Sequence, residues 1–101
     1  MGLYCEVRYD DRMLGRPLPE RARLTKWHIE ERQWLRPGDR VADFEAAAEA
    51  FTVRIRFPCL VDRLMARTGK PVRQGAFLLV VAAEGEDVPE GFRYAAAEPL
   101  G

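Results

Sequence analysis

Few side chains in this 101-residue sequence could attack, protonate or ligate. It has one histidine, His28, two cysteines, Cys5 and Cys59, two lysines, Lys26 and Lys70, and no serine. Acid–base or nucleophilic chemistry needs convergent polar groups, typically a nucleophile beside a base. His28 instead shares one side of an alternating run with Lys26 and Glu30, which predicts a solvent-facing imidazole. A tetrahedral Cys/His zinc site needs four ligands and the chain supplies three such residues. Both cysteines lie among apolar neighbours, where a thiol packs as a small hydrophobe. Gly69 and Gly75 belong to turns and make no phosphate cradle. The sequence therefore predicts no catalytic residue, no metal and no resident cofactor.

Charge narrows the partner classes. The 16 basic and 16 acidic residues balance, so the strong basic excess of a nucleic-acid binder is missing. The balance is uneven: residues 1–81 carry 15 basic and 11 acidic side chains, whereas residues 82–101 carry only Arg93 against Glu84, Glu86, Asp87, Glu90 and Glu98. An acidic tail thus follows a mildly basic body. No stretch approaches the ~20 apolar residues of a membrane span, and the start lacks a basic-then-apolar signal. A cytoplasmic protein with no membrane contact is expected.

The elements that must position any site read as strands. Phe51, Val53, Ile55 and Phe57 alternate with Thr52, Arg54 and Arg56, the period-2 pattern of a strand with one buried face. Leu3, Cys5, Val7 and Tyr9 alternate likewise, as do Thr25, Trp27 and Ile29. The apolar run 76–82 predicts a strand buried on both faces or at the centre of a sandwich. Turn chemistry at Asp10-Asp11, Pro17, Pro37-Gly38-Asp39, Pro58, Gly69-Lys70-Pro71 and Gly75 separates these runs. Residues 45–50, Glu-Ala-Ala-Ala-Glu-Ala, favour helix by composition but are too short to hold one alone. They can form a short helix or a connection between strands.

A faint repeat supports an all-β fold of two related halves. An offset of 37 residues pairs Trp27 with Leu64, Leu35 with Val72, Arg36 with Arg73, Gly38 with Gly75, Val41 with Leu78 and Phe44 with Val81. The expected architecture is a flattened β-barrel or sandwich, divided into an N-terminal strand and connection (1–21), a core (22–82) and the acidic tail (83–101).

Segments 24–41 and 43–59 carry a more specific pattern. Trp27, Ile29, Trp34, Leu35, Pro37, Gly38, Asp39 and Val41 lead to a hairpin, followed by Val53, Pro58, residues 64–66, Gly69, Val72 and Gly75, and then by residues 77–81. In this order they resemble the biotinyl/lipoyl carrier domains. The resemblance implies a flattened barrel whose hairpin tip presents a modified lysine. The chain departs from the pattern at three places. Ala48 stands where the acceptor lysine belongs, Arg32-Gln33 replace a Gly-Asp turn, and Cys59 replaces a glycine.

Biotin or lipoate attachment needs a primary amine, so the resemblance implies a carrier shape without the covalent task. The expected function is non-enzymatic: a protein-binding or scaffold module whose partner is a protein such as an enzyme that reads carrier domains. Glu45, Ala48 and Glu49 at the tip, and Arg54 and Arg56 along the next strand, are the candidate partner-binding residues. A charged outward face is also what plain solvation produces. The alternative is an unorthodox cofactor or acyl carrier modified at Lys70 or Cys59, working inside a larger multienzyme system.

Overall fold

The alternating runs become strands in the computed structural model, which describes residues 2–100. Nine strands form among them: β1 (Gly2–Arg8), β2 (Arg21–Trp27), β3 (Trp34–Leu35), β4 (Arg40–Glu45), β5 (Ala50–Ile55), β6 (Cys59–Leu64), β7 (Pro71–Arg73), β8 (Phe77–Glu84) and β9 (Ala95–Pro99). Two short 3-10 turns, Gly85–Asp87 and Glu90–Phe92, connect β8 to β9. All pairings are antiparallel. One sheet runs β1-β8-β6-β3 and the other β7-β2-β4-β5-β9, with no pairing that closes them into a barrel. The fold is an all-β sandwich.

The repeat seen in the sequence is a symmetry of this topology. Advancing each strand number by four turns β1-β8-β6-β3 into β5-β4-β2-β7, which is the second sheet without β9. The 37-residue offset carries β2, β3 and β4 onto β6, β7 and β8. Leu35, Val41 and Phe44 are buried, and so are Val72, Leu78 and Val81. Gly38 and Gly75 share a left-handed backbone, φ 93° and 89°, which explains a glycine at the same place in each half. The offset fails for β1 and β5, because a long connection at residues 9–20 follows β1 whereas three residues follow β5.

That connection fills one end of the core. The Asp10 carboxylate accepts from the Arg12 and Met13 amides at 2.8 and 3.1 Å, and the turn delivers Met13 and Leu14 inward. Tyr9 lies against Phe44 and Phe51, whose rings stack at 5.4 Å. Its hydroxyl donates to the Pro19 carbonyl at 2.7 Å, so the buried ring keeps a satisfied polar tip.

Three expectations need correction. On β2, a bulge between Leu24 and Lys26 turns Thr25 outward with Lys26, because the extra residue shifts the alternation. Ala22 and Leu24 carry the inward face, and Trp27 is half-buried with its Nε1–H donated to the Ala66 carbonyl. β8 lies between β1 and β6 in its sheet, but it is not buried on both faces: Leu78, Leu79, Val81 and Ala83 are buried, and Phe77, Val80 and Ala82 are not. These side chains lie on the outer face of that sheet, where the Arg8 guanidinium sits 4.5 Å above the Phe77 ring. His28, expected in solvent, is three-quarters or more withdrawn from it, for a reason that belongs to the site.

The turn before β3 keeps a glycine-like shape without a glycine. Arg32 adopts φ 73°, a left-handed conformation costing a side chain roughly 1–2 kcal/mol. Its amide donates to the Val61 carbonyl at 2.8 Å, and the Glu30 amide donates to Gln33 Oε1 at 2.9 Å. These bonds hold the turn shut.

Candidate functional site

Residues 45–50 are a turn between strands. Glu45 pairs with Ala50 across the β4/β5 ladder, and the Ala46 amide closes on the Glu49 carbonyl at 2.8 Å. Ladder register wins over alanine's helix propensity because Phe44 and Phe51 must both face the core. Ala47 and Ala48 are exposed at the tip. A hollow of about 330 Å³ beside them is lined by Arg21, Arg23, Glu45, Ala46, Ala47 and Pro71, among others.

The candidate acids at the tip differ in availability. Glu45 is exposed, with Arg23 4.0 Å away. Glu49 is half-buried, and both its carboxylate oxygens accept from one nitrogen of Arg16, Nη2, at 2.9 and 3.2 Å, while the Arg16 guanidinium lies 5.9 Å over Phe51. The tip surface is therefore Glu45 with alanine methyls, and Glu49 serves to tie the turn to the β1/β2 connection.

Arg54 and Arg56 lie at the other end of β5, on the order of 15 Å from the tip at 3.3 Å per residue. Arg54 bonds Glu98 of β9 and the Gly38 carbonyl. Arg56 is exposed, with one guanidinium nitrogen 3.3 Å from the Arg93 carbonyl. The acidic tail thus engages Arg54 itself, and the structure does not bring Arg54 and Arg56 together with Glu45 and Ala48.

Among the alternative attachment points, Lys70 is exposed in its turn and Lys26 is exposed on β2. Cys59 is fully buried. Burial, followed by the proximity of Cys5 and Asp39, pushes its pKa up to about 12, so it remains an un-ionised thiol at neutral pH and a weak nucleophile.

The outer face of the second sheet holds a polar network that the sequence reading missed. Thr52 is buried opposite Asp43. His28 Nε2 lies 2.9 Å from Asp43 Oδ2, an ion-pair distance without hydrogen-bond alignment. Arg40 donates to Asp43 Oδ1 at 3.1 Å and reaches the Thr52 hydroxyl at 3.4 Å. The Thr52 proton serves the Ala42 carbonyl, 3.2 Å away, or the Asp43 carboxylate. Residues this far apart in sequence gave no local signal beyond an Asp and a Thr on outward strand faces.

Burial alone would raise the Asp43 pKa, but Thr52, His28 and Arg40 outweigh it and hold the carboxyl below its ordinary value. A carboxyl depressed in the folded state stabilises fully above its unfolded pKa of about 3.9, and that contribution fades as pH falls through the folded value. Asp43→Asn should then cost about 1–3 kcal/mol at pH 7, with the gap to the natural chain closing below about pH 4. Urea melts across that range measure it; a gap that stays constant with pH counts against the linkage.

No group of three or more His, Cys, Asp and Glu able to hold a metal ion occurs among the described residues. No helix there is long and apolar enough to cross a membrane. Fold and site define a two-sheet antiparallel sandwich of related halves with an exposed alanine-tipped turn between β4 and β5. Neither a protein-family model nor a curated protein matches this chain.

Proposed function

We propose that the protein is a non-enzymatic protein-binding or scaffold module with the shape of a biotinyl/lipoyl carrier domain, and that it carries neither biotin nor lipoate. The observation that carries this reading is the exposed Ala48 at the tip of the hairpin formed by β4 and β5. A methyl group there offers shape without an attachment chemistry. Two halves exchanged by a four-strand shift support the resemblance, as does Arg32 taking the backbone of the replaced glycine. The partner is a protein that reads such a hairpin, and Glu45 with the neighbouring Arg21 and Arg23 gives the tip its charge pattern.

Replacing Ala48 by lysine tests this. Intact mass after incubation with a biotin or lipoate ligase should show the Ala48→Lys chain modified and the natural chain unchanged. Modification of the natural chain at Lys70 would make it a working carrier and overturn the proposal. If neither chain is modified, the hairpin is not one that such ligases read.

A further inference from the structure

Three arginines from distant parts of the chain line one hollow of about 410 Å³: Arg12 from the β1/β2 connection, Arg56 just after β5, and Arg93 just before β9. No carboxylate lies within ion-pair distance of any of them among the described residues. The one acidic residue at its edge, Asp11, has its Oδ1 occupied by the Leu18 amide at 2.9 Å and Gln74 Nε2 at 2.6 Å. A main-chain donor adds to the same side. The Ala97 amide points away from β5 to the Leu14 carbonyl, so by strand alternation the Ala95 amide, two residues back, also turns away from β5.

A groove of about 730 Å³ adjoins the hollow and shares Arg12 with it. Tyr4, Phe92 and Tyr94 line this groove, and Tyr4 and Phe92 are 72% and 67% exposed. Phe92 is held out at φ 59°, a left-handed backbone that a bulky side chain rarely adopts without a compensating reason. Its ring meets Tyr94 edge-on, 6.0 Å between centroids, and still leaves most of its surface open to the groove.

We propose that the hollow is a phosphate site and that the groove beside it takes the planar ring of the same ligand, a nucleoside diphosphate being the class that combines both. Three guanidinium groups carried on separate segments of the chain suit a group with several terminal oxygens and more than one negative charge. A planar carboxylate has two oxygens and is satisfied by one arginine fork. Exposed aromatic faces stack on any base, which adds affinity without base selection. This site is independent of the hairpin, so its failure leaves the carrier-like reading intact.

Calorimetric titration of the full chain with pyrophosphate, ADP and succinate tests it. Pyrophosphate should bind, and Arg56→Gln or Arg93→Gln should weaken it at least about tenfold, the loss of one charge-assisted contact. Arg36→Gln, an exposed arginine elsewhere, should leave it unchanged. ADP should bind more tightly than pyrophosphate, with Phe92→Ala removing only that difference. Absence of pyrophosphate binding, equal weakening by Arg36→Gln, or succinate binding as tightly as pyrophosphate overturns the phosphate site. Equal affinities for ADP and pyrophosphate overturn the ring groove.

Discussion

Phe44→Ala is expected to destabilise the protein by about 3–5 kcal/mol, the usual cost of truncating a fully buried phenylalanine. Phe44 is wholly enclosed, stacked on Phe51 and tilted against Tyr9. Its removal opens a cavity between the second sheet and the β1/β2 connection. The connection cannot collapse into that space freely, because the Tyr9 hydroxyl is fixed to Pro19 and Asp10 caps the turn. For a domain of this size the midpoint of thermal unfolding should drop by about 15–25 °C. Glu45→Ala, one residue along and outward, should change stability by less than about 0.5 kcal/mol. Calorimetry on the two variants reads the contrast, and comparable losses would mean that β4 presents the opposite face to the core.

Removing residues 95–101 should cost a similar amount and change the oligomeric state. β9 pairs with β5 along Phe51, Thr52, Val53, Arg54 and Ile55. The Arg56 amide reaches the Tyr94 carbonyl, and the Leu100 amide reaches the Ala50 carbonyl, at 3.0 Å each. Four or five ladder hydrogen bonds at ~1 kcal/mol each give a loss of about 4 kcal/mol. The truncation also bares the β5 edge, and an unpaired strand edge recruits another copy. Sedimentation velocity should show concentration-dependent self-association in the shortened chain and none in the natural one. A shortened chain that stays monomeric and equally stable would show β9 to be an ornament of the sheet rather than its protection.

The same strand shows where sequence reading stops. Ala-Ala-Ala-Glu-Pro has no alternation and weak strand propensity. Composition marks the segment as an acidic tail but gives neither its register nor its neighbour. Pairing with β5, the bond between Leu14 and Ala97, and the contact of Glu98 with Arg54 decide these. All are long-range interactions that leave no local pattern.

By itself, the sequence determined what depends on period and on single backbone positions. Phe51, Val53, Ile55 and Phe57 declared an inward face, and all four are buried, although β5 ends at Ile55 and Thr52 on its outward side is buried too. Gly38 and Gly75 marked equivalent turns in two halves because only their left-handed backbone demands that residue type. The absent amine at position 48 was legible as composition alone. Tertiary structure decided everything that needs two distant segments to meet. Residues 45–50 had a helix former's composition, yet they became a turn once Phe44 and Phe51 had to share the core. His28 looked solvent-facing until the bulge in β2 and the register of β4 set it against Asp43. Arg56 stood out only as an outward charge and candidate partner contact on its strand and Arg93 as the one base in an acidic tail, while Arg12 gave no signal, since nothing in a linear pattern tells that three segments end at one hollow. Side-chain alternation is a local property of the backbone, whereas a site is a coincidence in space fixed only when the sheets pack.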